Sequence, residues 1–249
     1  MFVDFHNQLV LVTGGTRGIG RAIVDGLWRS GADVAFTFQS QSQVAQEMVE
    51  TARREGKKAW AFQLESGDAS AANVLIERIE RECGVVYGLV NNAGITRDGA
   101  FLMMPQENWD QVVQVNLNGT AYMSRAVLER LISRKQGKVV NLSSVSGLKA
   151  SPGQANYSAT KAALIALTKT LSHEVARFGI QVNAVAPGFI NTEMVASMPE
   201  QIQRQLPKNI PLRRLGRVDE VADAVLYLLS QHADYITGHT LVIDGGLSA

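Results

Sequence analysis

Residues 8–23 read QLVLVTGGTRGIGRAI, which combines a buried strand, a glycine-rich turn and the start of a helix. Gly14, Gly18 and Gly20 give the spacing G-x-x-x-G-x-G directly after the apolar run. Glycines allow a tight turn and let a pyrophosphate approach the amide N–H groups at a helix N-terminus. Many tight turns contain glycine, so the turn alone is weak evidence. Its place between a strand and a helix predicts a dinucleotide-binding site.

Short β-rich runs alternate with helical stretches along the rest of the chain. The predicted strands are 8–13, 33–38, 58–63, 86–91, 138–143, 180–186 and 240–244. The predicted helices are 18–30, 41–55, 69–82, 107–134, 155–178 and 218–230. This alternation implies parallel pairing through right-handed crossovers, hence an α/β fold with one doubly wound, seven-stranded parallel sheet flanked by helices. No linker, low-complexity tract or repeat divides residues 1–249, so a single domain is expected.

Several polar or glycine-containing motifs follow predicted strands directly. They include Gly14, Asn91, Ser144 and Pro187. In doubly wound sheets ligands bind beyond the carboxyl ends of the strands, so these motifs are expected to converge on one edge. The stretch 190–216 has no predicted strand of its own and is expected to form a lid over that edge.

Tyr157 and Lys161 stand four residues apart in YSATK, and Ser144 ends the run KVVNLSS. Residues four apart share a helix face, so the phenol and the ammonium can lie side by side. A cation there is expected to lower the pKa of Tyr157 from about 10 toward neutrality, where it can exchange a proton with a carbonyl oxygen. Ser144 could hydrogen-bond the same oxygen. Such a pair alone is more often a solvated helix face, and the glycine turn favours the catalytic interpretation.

These features together resemble the short-chain dehydrogenase/reductase family over essentially the whole chain. The matching motifs are TGGTRGIG (13–20), NNAG (91–94), Asn116, Ser144, Tyr157 with Lys161, PGFINT (187–192) and DGG (244–246). Within that family NNAGITRD, GQANYSATK, NAVAPGFINTEM and YITGHTL are most similar to the 3-oxoacyl-[acyl-carrier-protein] reductases. The complete set is highly specific, whereas any single member would not be.

The resemblance implies that hydride from NADPH reduces a ketone carbon. Tyr157 would donate the proton to the developing alkoxide, and Ser144 would orient that oxygen. Lys161 would lower the pKa of Tyr157 and hold the nicotinamide ribose. Asn116 would help to retain a water that leads from Lys161 to solvent. By residue type alone, Asn116 is a tolerated polar position in a helix.

The resemblance and the glycine turn together give a set of expected cofactor-binding residues. They are Gly14, Thr16, Arg17, Gly18, Ile19, Gly20, Gln39, Ser40, Glu65, Asn92, Ala93, Gly94, Tyr157, Lys161, Pro187, Gly188, Ile190 and Thr192. An acid at the end of the second strand would repel a 2′-phosphate, and residues 37–40, TFQS, contain none. Arg17 can pair with a phosphate, although it could also be a surface cation. NADPH is therefore the expected cofactor.

Two cofactor contacts have alternatives. The family places an Asp or Asn, followed by Val, against the adenine, and Glu65-Ser66 stands there in this chain. Either the loop shifts or a neighbour such as Asp68 substitutes. Thr192 and the backbone at Ile190 would hold the nicotinamide carboxamide, and Thr192 could also cap a helix.

Composition excludes several function classes. The 249 residues carry a formal net charge of +1, which gives no support for a nucleic-acid surface. Cys83 is the one cysteine, and the four histidines lack metal-ligand spacing, so no metal site is expected. The start MFVDFHNQ does not read as a signal peptide, and the apolar runs are too short to span a bilayer. A cytoplasmic protein is expected.

The resemblance also suggests a substrate and a partner. An apolar set around the lid suits an acyl chain, although helix packing would explain it as well. That set is Phe189, Met194, Val195, Met198 and Ile202, with Met103 and Met104 after the fourth strand. The implied substrate is a β-ketoacyl thioester on acyl carrier protein, in fatty-acid or polyketide (including polyene) synthesis. Alternatives are a reductase of free ketones, sugars or acyl-CoA and a catalytically silent NADP-binding regulator.

Two features of the sequence predict contacts with other protein chains. Helices 107–134 and 155–178 carry apolar residues around most of their circumference, and one sheet covers only one side, so a homotetramer is expected. A basic patch could dock an acidic acyl carrier protein, although cations at helix C-termini also complement the dipole. The candidates for that patch are Arg134, Lys135, Lys169, Arg177, Arg213 and Arg214.

Overall fold

The computed structural model describes residues 3–196 and 200–249. Its strands form one sheet, with every neighbouring pair parallel, in the order β3-β2-β1-β4-β5-β6-β7. The strands are β1 (Leu9–Val12), β2 (Asp33–Phe38), β3 (Ala59–Gln63), β4 (Val86–Asn91), β5 (Gly137–Leu142), β6 (Ile180–Pro187) and β7 (Thr240–Ile243). The predicted doubly wound, seven-stranded parallel sheet is confirmed. The strand order reverses between β1 and β4, which opens a crevice at their carboxyl ends.

Helices cover both faces of this sheet. They are α1 (Gly18–Arg29), α2 (Ser42–Arg54), α3 (Ala69–Glu82), α4 (Gln106–Val112), α5 (Gly119–Arg134), α6 (Ala155–Val175), α7 (Glu193–Ala196), α8 (Glu200–Gln205) and α9 (Val218–Leu229). One core lies under α1, α2 and α9, and a second lies under α3 and α5. The strands between them read as nearly continuous apolar runs because they are buried on both faces.

The single helix predicted over 107–134 is wrong in detail. A π-helical turn, Val113–Asn118, separates α4 from α5. The path stays helical through the turn, since Val112 and Gly119 both have right-handed helical angles. The Thr120 hydroxyl donates a 2.9 Å hydrogen bond to the Asn116 carbonyl oxygen. A π turn of this kind is often found at a functional site.

The stretch 190–216 contains more structure than the sequence predicted. It includes α7, α8 and a 3₁₀ turn, Leu206–Asn209. Its two ends pair, since Asn191 N–H donates to Gly216 O at 2.8 Å and Gly216 N–H donates to Phe189 O at 2.9 Å. Of the apolar residues expected there, Met198 and the side chains of Met194 and Ile202 lie outside the described part of the structure. Within the described residues we find no helix long and apolar enough to cross a membrane.

Candidate active site

The glycine turn begins where β1 ends, and close packing explains its glycines. Gly14 has φ +67°, and a Cβ there would lie 3.1 Å from the Ala93 Cα. A Cβ on Gly20 would lie 2.2 Å from the Gly14 carbonyl oxygen. No side chain caps the N-terminus of α1, and its first turn contains no acid. The turn therefore offers unshielded helix amides in a cradle that any side chain would fill, which fits the pyrophosphate of a dinucleotide.

Side chains from two neighbouring strand ends hold this turn in place. The Thr13 hydroxyl oxygen accepts hydrogen bonds from Asn92 N–H and Ala93 N–H, each at 3.0 Å. The Asn92 side-chain amide donates to the carbonyl oxygens of Thr13 at 3.0 Å and Gly14 at 2.9 Å. The NNAG motif after β4 is thus joined to the glycine turn after β1, which brings two of the predicted motifs together.

The end of β2 is joined to the same turn. Gly14 N–H donates to the Thr37 hydroxyl at 3.1 Å, and Gly15 N–H donates to the Thr37 carbonyl at 2.9 Å. Gln39 and Ser40 follow with exposed side chains. Asp33, at the other end of β2, pairs with Lys58 at 3.1 Å, far from the turn along the strand. No carboxylate therefore faces the turn from the end of β2, as the sequence predicted.

Arg17 lies at the N-cap position of α1 and points toward the stretch 190–216. Its guanidinium lies 3.4 Å from the Glu193 carboxylate at the start of α7, and both side chains are exposed. Thr192 approaches the same turn, since a Cβ on Gly18 would lie 3.6 Å from the Thr192 methyl group. The Thr192 hydroxyl donates to the Ile190 carbonyl at 3.3 Å, and the Thr192 carbonyl accepts from Val195 N–H at 3.0 Å and Ala196 N–H at 2.9 Å. The start of the stretch 190–216 and the glycine turn are thus neighbours.

The loop after β3 carries both candidates for the adenine contact, Glu65 and Asp68. Asp68 caps α3, accepting from Ser70 N–H at 2.8 Å and Ala71 N–H at 3.2 Å. The Ser70 hydroxyl and these amides hold the pKa of the Asp68 carboxyl below its usual value. Asp68 is therefore occupied as a cap. Glu65 instead lines a small cavity with Ala93 and Val115, beside the NNAG loop.

The ends of β6 and β7 complete the edge. Pro187 is buried as the last residue of β6, and Gly188 N–H donates to Ile243 O at 2.9 Å. A Cβ on Gly188 would lie 2.7 Å from the Asp244 Cβ, so glycine is needed there. The Asp244 carboxylate accepts from Gly246 N–H and Ser248 N–H at 2.9 and 2.8 Å, which explains the DGG motif as a turn.

Ser144, Tyr157 and Lys161 meet where β5 ends and α6 begins. Lys161, 4% exposed, donates from Nζ to the Leu142 carbonyl at 2.6 Å. The Ser143 hydroxyl donates to the Lys161 carbonyl at 2.7 Å, so Ser143 points away from Ser144 and into the sheet–helix contact. The Lys161 Nζ lies 5.5 Å from the centre of the Tyr157 ring. Two reciprocal hydrogen bonds therefore fix the strand end that carries Ser144 against the helix that carries Tyr157.

The expected ionisation of Tyr157 is wrong in direction. Burial raises the pKa of Tyr157 to about 12, the Ser144 hydrogen bond acts in the lowering direction, and the charge of Asp98 raises the pKa further. Burial lowers the pKa of Lys161 to about 8. Desolvation opposes the charged form of both groups and is the largest cause of both pKa shifts. At neutral pH Tyr157 is thus a proton donor and Lys161 is mostly cationic.

Asn116 lies in the π-helical turn and is fully buried. Its side-chain oxygen accepts from Ile95 N–H at 2.8 Å, and its amide donates to Ile95 O at 2.9 Å. A Cβ on Gly94 would lie 3.3 Å from the Asn116 side-chain oxygen and 3.6 Å from Lys161 Nζ. Asn116 thus joins the NNAG loop to the Lys161 side of the site.

Three structural residues of the site escaped the sequence analysis. Thr13 and Thr37 bind the glycine turn, as described above. Asn156 is fully buried and donates to the carbonyl oxygens of Arg97 at 3.0 Å and Asn108 at 3.3 Å. Threonines in strands and an asparagine at a helix start are common, so the sequence alone carried no signal for them. Among the described residues, no three His, Cys, Asp or Glu side chains cluster as a metal site would require.

Comparison with known proteins agrees with this geometry. A family model described as enoyl-(acyl carrier protein) reductase matches residues 14–248. The chain belongs to the short-chain dehydrogenase/reductase family. It is 42% identical to the 3-oxoacyl-[acyl-carrier-protein] reductase FabG of Aquifex aeolicus (strain VF5), over 99% of this chain and 100% of that one. The reductase of the same name from Staphylococcus aureus (strain Mu50 / ATCC 700699) is 40% identical over 95% and 96%.

A relative whose name gives a different substrate is similar to this chain as well. The acetoacetyl-CoA reductase of Synechocystis sp. (strain ATCC 27184 / PCC 6803 / Kazusa) is 44% identical over 98% of this chain and 97% of that protein. All three relatives are reductases by name. Family membership makes this protein an oxidoreductase that uses a nicotinamide cofactor.

Proposed function

We propose that this protein reduces a β-ketoacyl thioester, carried on acyl carrier protein, to the β-hydroxyacyl form with NADPH. The reaction would serve fatty-acid or polyketide synthesis. The observation that carries the proposal is the placement of Ser144, Tyr157 and Lys161 at the same sheet edge as the glycine turn, with Tyr157 protonated at neutral pH. A protonated donor beside a hydrogen-bonding serine is what carbonyl reduction requires.

Tyr157 and Ser144 would have separate roles in this reduction. The cofactor, when bound, supplies the hydride to the ketone carbon. Tyr157 gives its proton to the ketone oxygen as negative charge develops there, because the neutral phenol is its stable form in this site. Ser144 accepts from Ser146 N–H at 3.1 Å, which leaves its own O–H available to hold that oxygen.

Lys161 and Asn116 would support the proton transfer from Tyr157. The ammonium of Lys161, buried and mostly charged at neutral pH, stabilises negative charge on Tyr157 as its proton leaves. The same ammonium group would hold the nicotinamide ribose. Asn116 fixes the loop at Ile95 next to Lys161. We assign it to the water path by which the proton on Tyr157 is replaced.

NADPH is proposed over NADH from the end of β2. No acid follows Phe38 there, so no carboxylate of this strand end would repel a 2′-phosphate, and Arg17 is the cation within the turn. Arg17 pairs with Glu193 over 3.4 Å with both side chains exposed, a contact too weak to prevent exchange for a phosphate. Thr192 and the Ile190 backbone are assigned to the carboxamide, and the stretch 190–216 to a lid.

Acyl-CoA is the second candidate for the carrier, because of the acetoacetyl-CoA reductase relative. Both carriers present the same thioester to Tyr157, so the catalytic group cannot separate them. The acyl chain itself would contact apolar side chains in the segment after β4, where Leu102 and Met103 are 93% and 82% exposed. Those side chains would become covered when a chain lies on them.

One experiment tests the proposal. Oxidation of NADPH would be followed with an acetoacetyl group on acyl carrier protein, on CoA and on a short pantetheine analogue, and with a free ketone of the same length. We expect the highest kcat/KM with the carrier protein. Preference for acetoacetyl-CoA would support the second candidate, and turnover restricted to free ketones would contradict both. Binding of NADPH without any turnover would indicate a regulator.

A further inference from the structure

A chain of hydrogen bonds leads from the protein surface to the catalytic serine. The exposed carboxylate of Asp98, in the loop after β4, accepts from the Gln154 amide at 2.9 Å. The Gln154 oxygen accepts from the Ser146 hydroxyl at 3.1 Å. Ser146 N–H then donates to the Ser144 hydroxyl oxygen at 3.1 Å. The last contact also caps the 3₁₀ turn Val145–Gly147, and together the contacts reach the group proposed to hold the substrate oxygen.

The same loop is joined to the start of α6 at two further points. Gly99 N–H donates to Gly153 O at 2.8 Å, and the Asn156 amide donates to Arg97 O at 3.0 Å. Three consecutive residues, 97–99, therefore bind three residues that directly precede Tyr157 or lie just before α6. Asp98 is the member of this set that acts through its side chain and carries a charge.

We propose that Asp98 and Gln154 are positioning residues that fix the Ser144 turn relative to Tyr157 during carbonyl reduction. Gln154 is suited to this because its amide can donate to Asp98 while its oxygen accepts from Ser146, so one side chain orients the next. The position of the turn that carries half-buried Ser144 matters because misplacement of about 1 Å costs up to ~10²-fold in rate. The inference rests on the proposed function of the Ser144–Tyr157 pair.

The charge of Asp98 gives the pair a second property. The groups that face Tyr157 are Lys161 from α6, Ser144 from the turn after β5 and Asp98 from the loop after β4. Of these, Asp98 disfavours the phenolate through its negative charge. Removing that charge while keeping the hydrogen bond should thus move the ionisation of Tyr157 downward, which a purely structural contact would not do.

The test compares Asp98→Ala, Asp98→Asn, Gln154→Ala and the double variant Asp98→Ala/Gln154→Ala. Asp98→Ala and Gln154→Ala should each lower kcat about 10-fold with the KM for NADPH unchanged. The double variant should lose no more than either single variant, since both break the same chain. Asp98→Asn can still accept from Gln154 and should recover most of kcat.

The charge is tested in the reverse direction, oxidation of the β-hydroxyacyl product, which needs the Tyr157 phenolate. The alkaline onset of this activity should lie at lower pH in Asp98→Asn than in the wild type. Asp110→Ala is the matched control, because Asp110 accepts from the Gln106 amide at the same 2.9 Å on an exposed helix surface. That variant should leave kcat and the pH onset unchanged. Thermal unfolding of every variant shows whether the fold is intact.

Wild-type kcat in folded Asp98→Ala would overturn the inference, as would losses that multiply in the double variant or an equal loss in Asp110→Ala. These outcomes are separable from failure of the proposed function. If the wild type reduced only a free ketone, the proposed substrate would be wrong, and the same variants assayed with that ketone would still decide the role of Asp98 and Gln154.

Discussion

Tyr157 and Lys161 show how a helical pair four residues apart acquires its chemistry from burial. In water the phenol and the ammonium would both titrate near pH 10. In the protein their pKa values move apart in opposite directions, to about 12 for Tyr157 and about 8 for Lys161. Tyr157 therefore stays protonated across the physiological pH range, whereas the ammonium group of Lys161 begins to lose its proton near the upper end of that range. Two separated pKa values of this kind are typical of a catalytic acid and its electrostatic partner.

Tyr157→Phe should abolish reduction while NADPH still binds. The variant keeps the ring, and its hydroxyl is replaced by hydrogen, so the loss isolates the proton donor. We expect kcat to fall by ~10²-fold or more. Steady-state kinetics measures the fall, and quenching of protein fluorescence on NADPH addition measures binding. Near wild-type turnover would remove Tyr157 from its proposed role.

The pH dependence of reduction should follow Lys161. Since its ammonium form exists below a pKa of about 8, kcat/KM for NADPH should be constant near pH 6 to 7 and fall as pH rises through about 8.

The lowered pKa of Lys161 also makes the stability of the fold depend on pH. The buried ammonium is unfavourable below about pH 8, so the free energy of unfolding should gain a rising contribution between about pH 8 and the unfolded value of 10.5.

Lys161→Met provides the comparison for both measurements. It removes the titrating group, so the fall in kcat/KM near pH 8 and the rise in unfolding free energy above it should both disappear. Urea unfolding at a series of pH values measures the second effect. A wild-type profile that stays level from pH 7 to 10 would contradict the assignment.

At the scale of elements, cofactor choice depends on where β2 ends relative to the glycine turn. The Thr37 side chain and backbone bind Gly14 and Gly15, so the residues after Thr37 are held next to the turn. Phe38 is half-buried and packs against the core under α1, α2 and α9. The following residues, Gln39 and Ser40, are uncharged, so no carboxylate at this strand end would oppose the 2′-phosphate of the proposed NADPH.

Phe38→Asp should erode the preference for NADPH over NADH, because it places a carboxylate beside the 2′-phosphate. The preference is measured as the ratio of kcat/KM for the two cofactors. Phe38→Asn is the matched control, since it loses the same packing without adding charge. A wild type that uses NADH equally well would show the interpretation of this strand end to be wrong, and so would an equal effect of both substitutions.

At the scale of the whole molecule, α5 and α6 cover the sheet and keep apolar residues on their other sides. Their buried faces include Met123, Val127 and Leu164. Leu167 on α6 is half-buried, and so is Leu117 in the π turn. Partly exposed apolar residues along two long neighbouring helices are typical of an interface between subunits.

The protein should therefore be a homotetramer in solution. Light scattering at micromolar concentration should give about four times the 27.0 kDa chain mass. Leu167→Arg, on the half-exposed side of α6, should lower that mass, whereas the same change at exposed Val74 on α3 should not. A monomeric wild type would contradict the prediction.

The candidate cations for docking an acidic carrier protein differ in whether an acidic side chain of the same chain already pairs with them. Arg134 lies 2.7 Å from Glu80, and Arg214 lies 2.6 Å from Glu220, so both are already paired. Lys135 ends α5 with φ +54°, and the Arg177 guanidinium stacks 4.7 Å above the Phe178 ring. These two cations are therefore the better choice for a test.

Lys135→Glu or Arg177→Glu should raise KM for the acyl-carrier substrate, more strongly at low salt, and leave the pantetheine analogue unaffected. Arg53→Glu, an exposed change of equal charge on α2 across the sheet, is the control. The measurement is KM for both substrates at two salt concentrations. Equal losses on both substrates would withdraw the docking proposal.

The sequence by itself determined the sheet, the glycine turn and the pairing of Tyr157 with Lys161, because each depends on residues close together in the chain. Strand and helix patterns have periods of two and 3.6 residues, and a Tyr-x-x-x-Lys pair needs one helical turn. The alternation of these elements then leaves few topologies, and right-handed crossovers place the strand ends on one edge. This is why motifs as far apart in the chain as Gly14 and Pro187 could be expected at one site.

Tertiary structure decided what depends on burial and on contacts between distant segments. The direction of the Tyr157 pKa follows from desolvation, which no spacing reveals. The structure also shows that Asp68 caps α3, since one oxygen of its carboxylate accepts from the amides of Ser70 and Ala71. The path from Asp98 through Gln154 to Ser144 crosses three segments, so it exists only once β4, β5 and α6 have packed side by side.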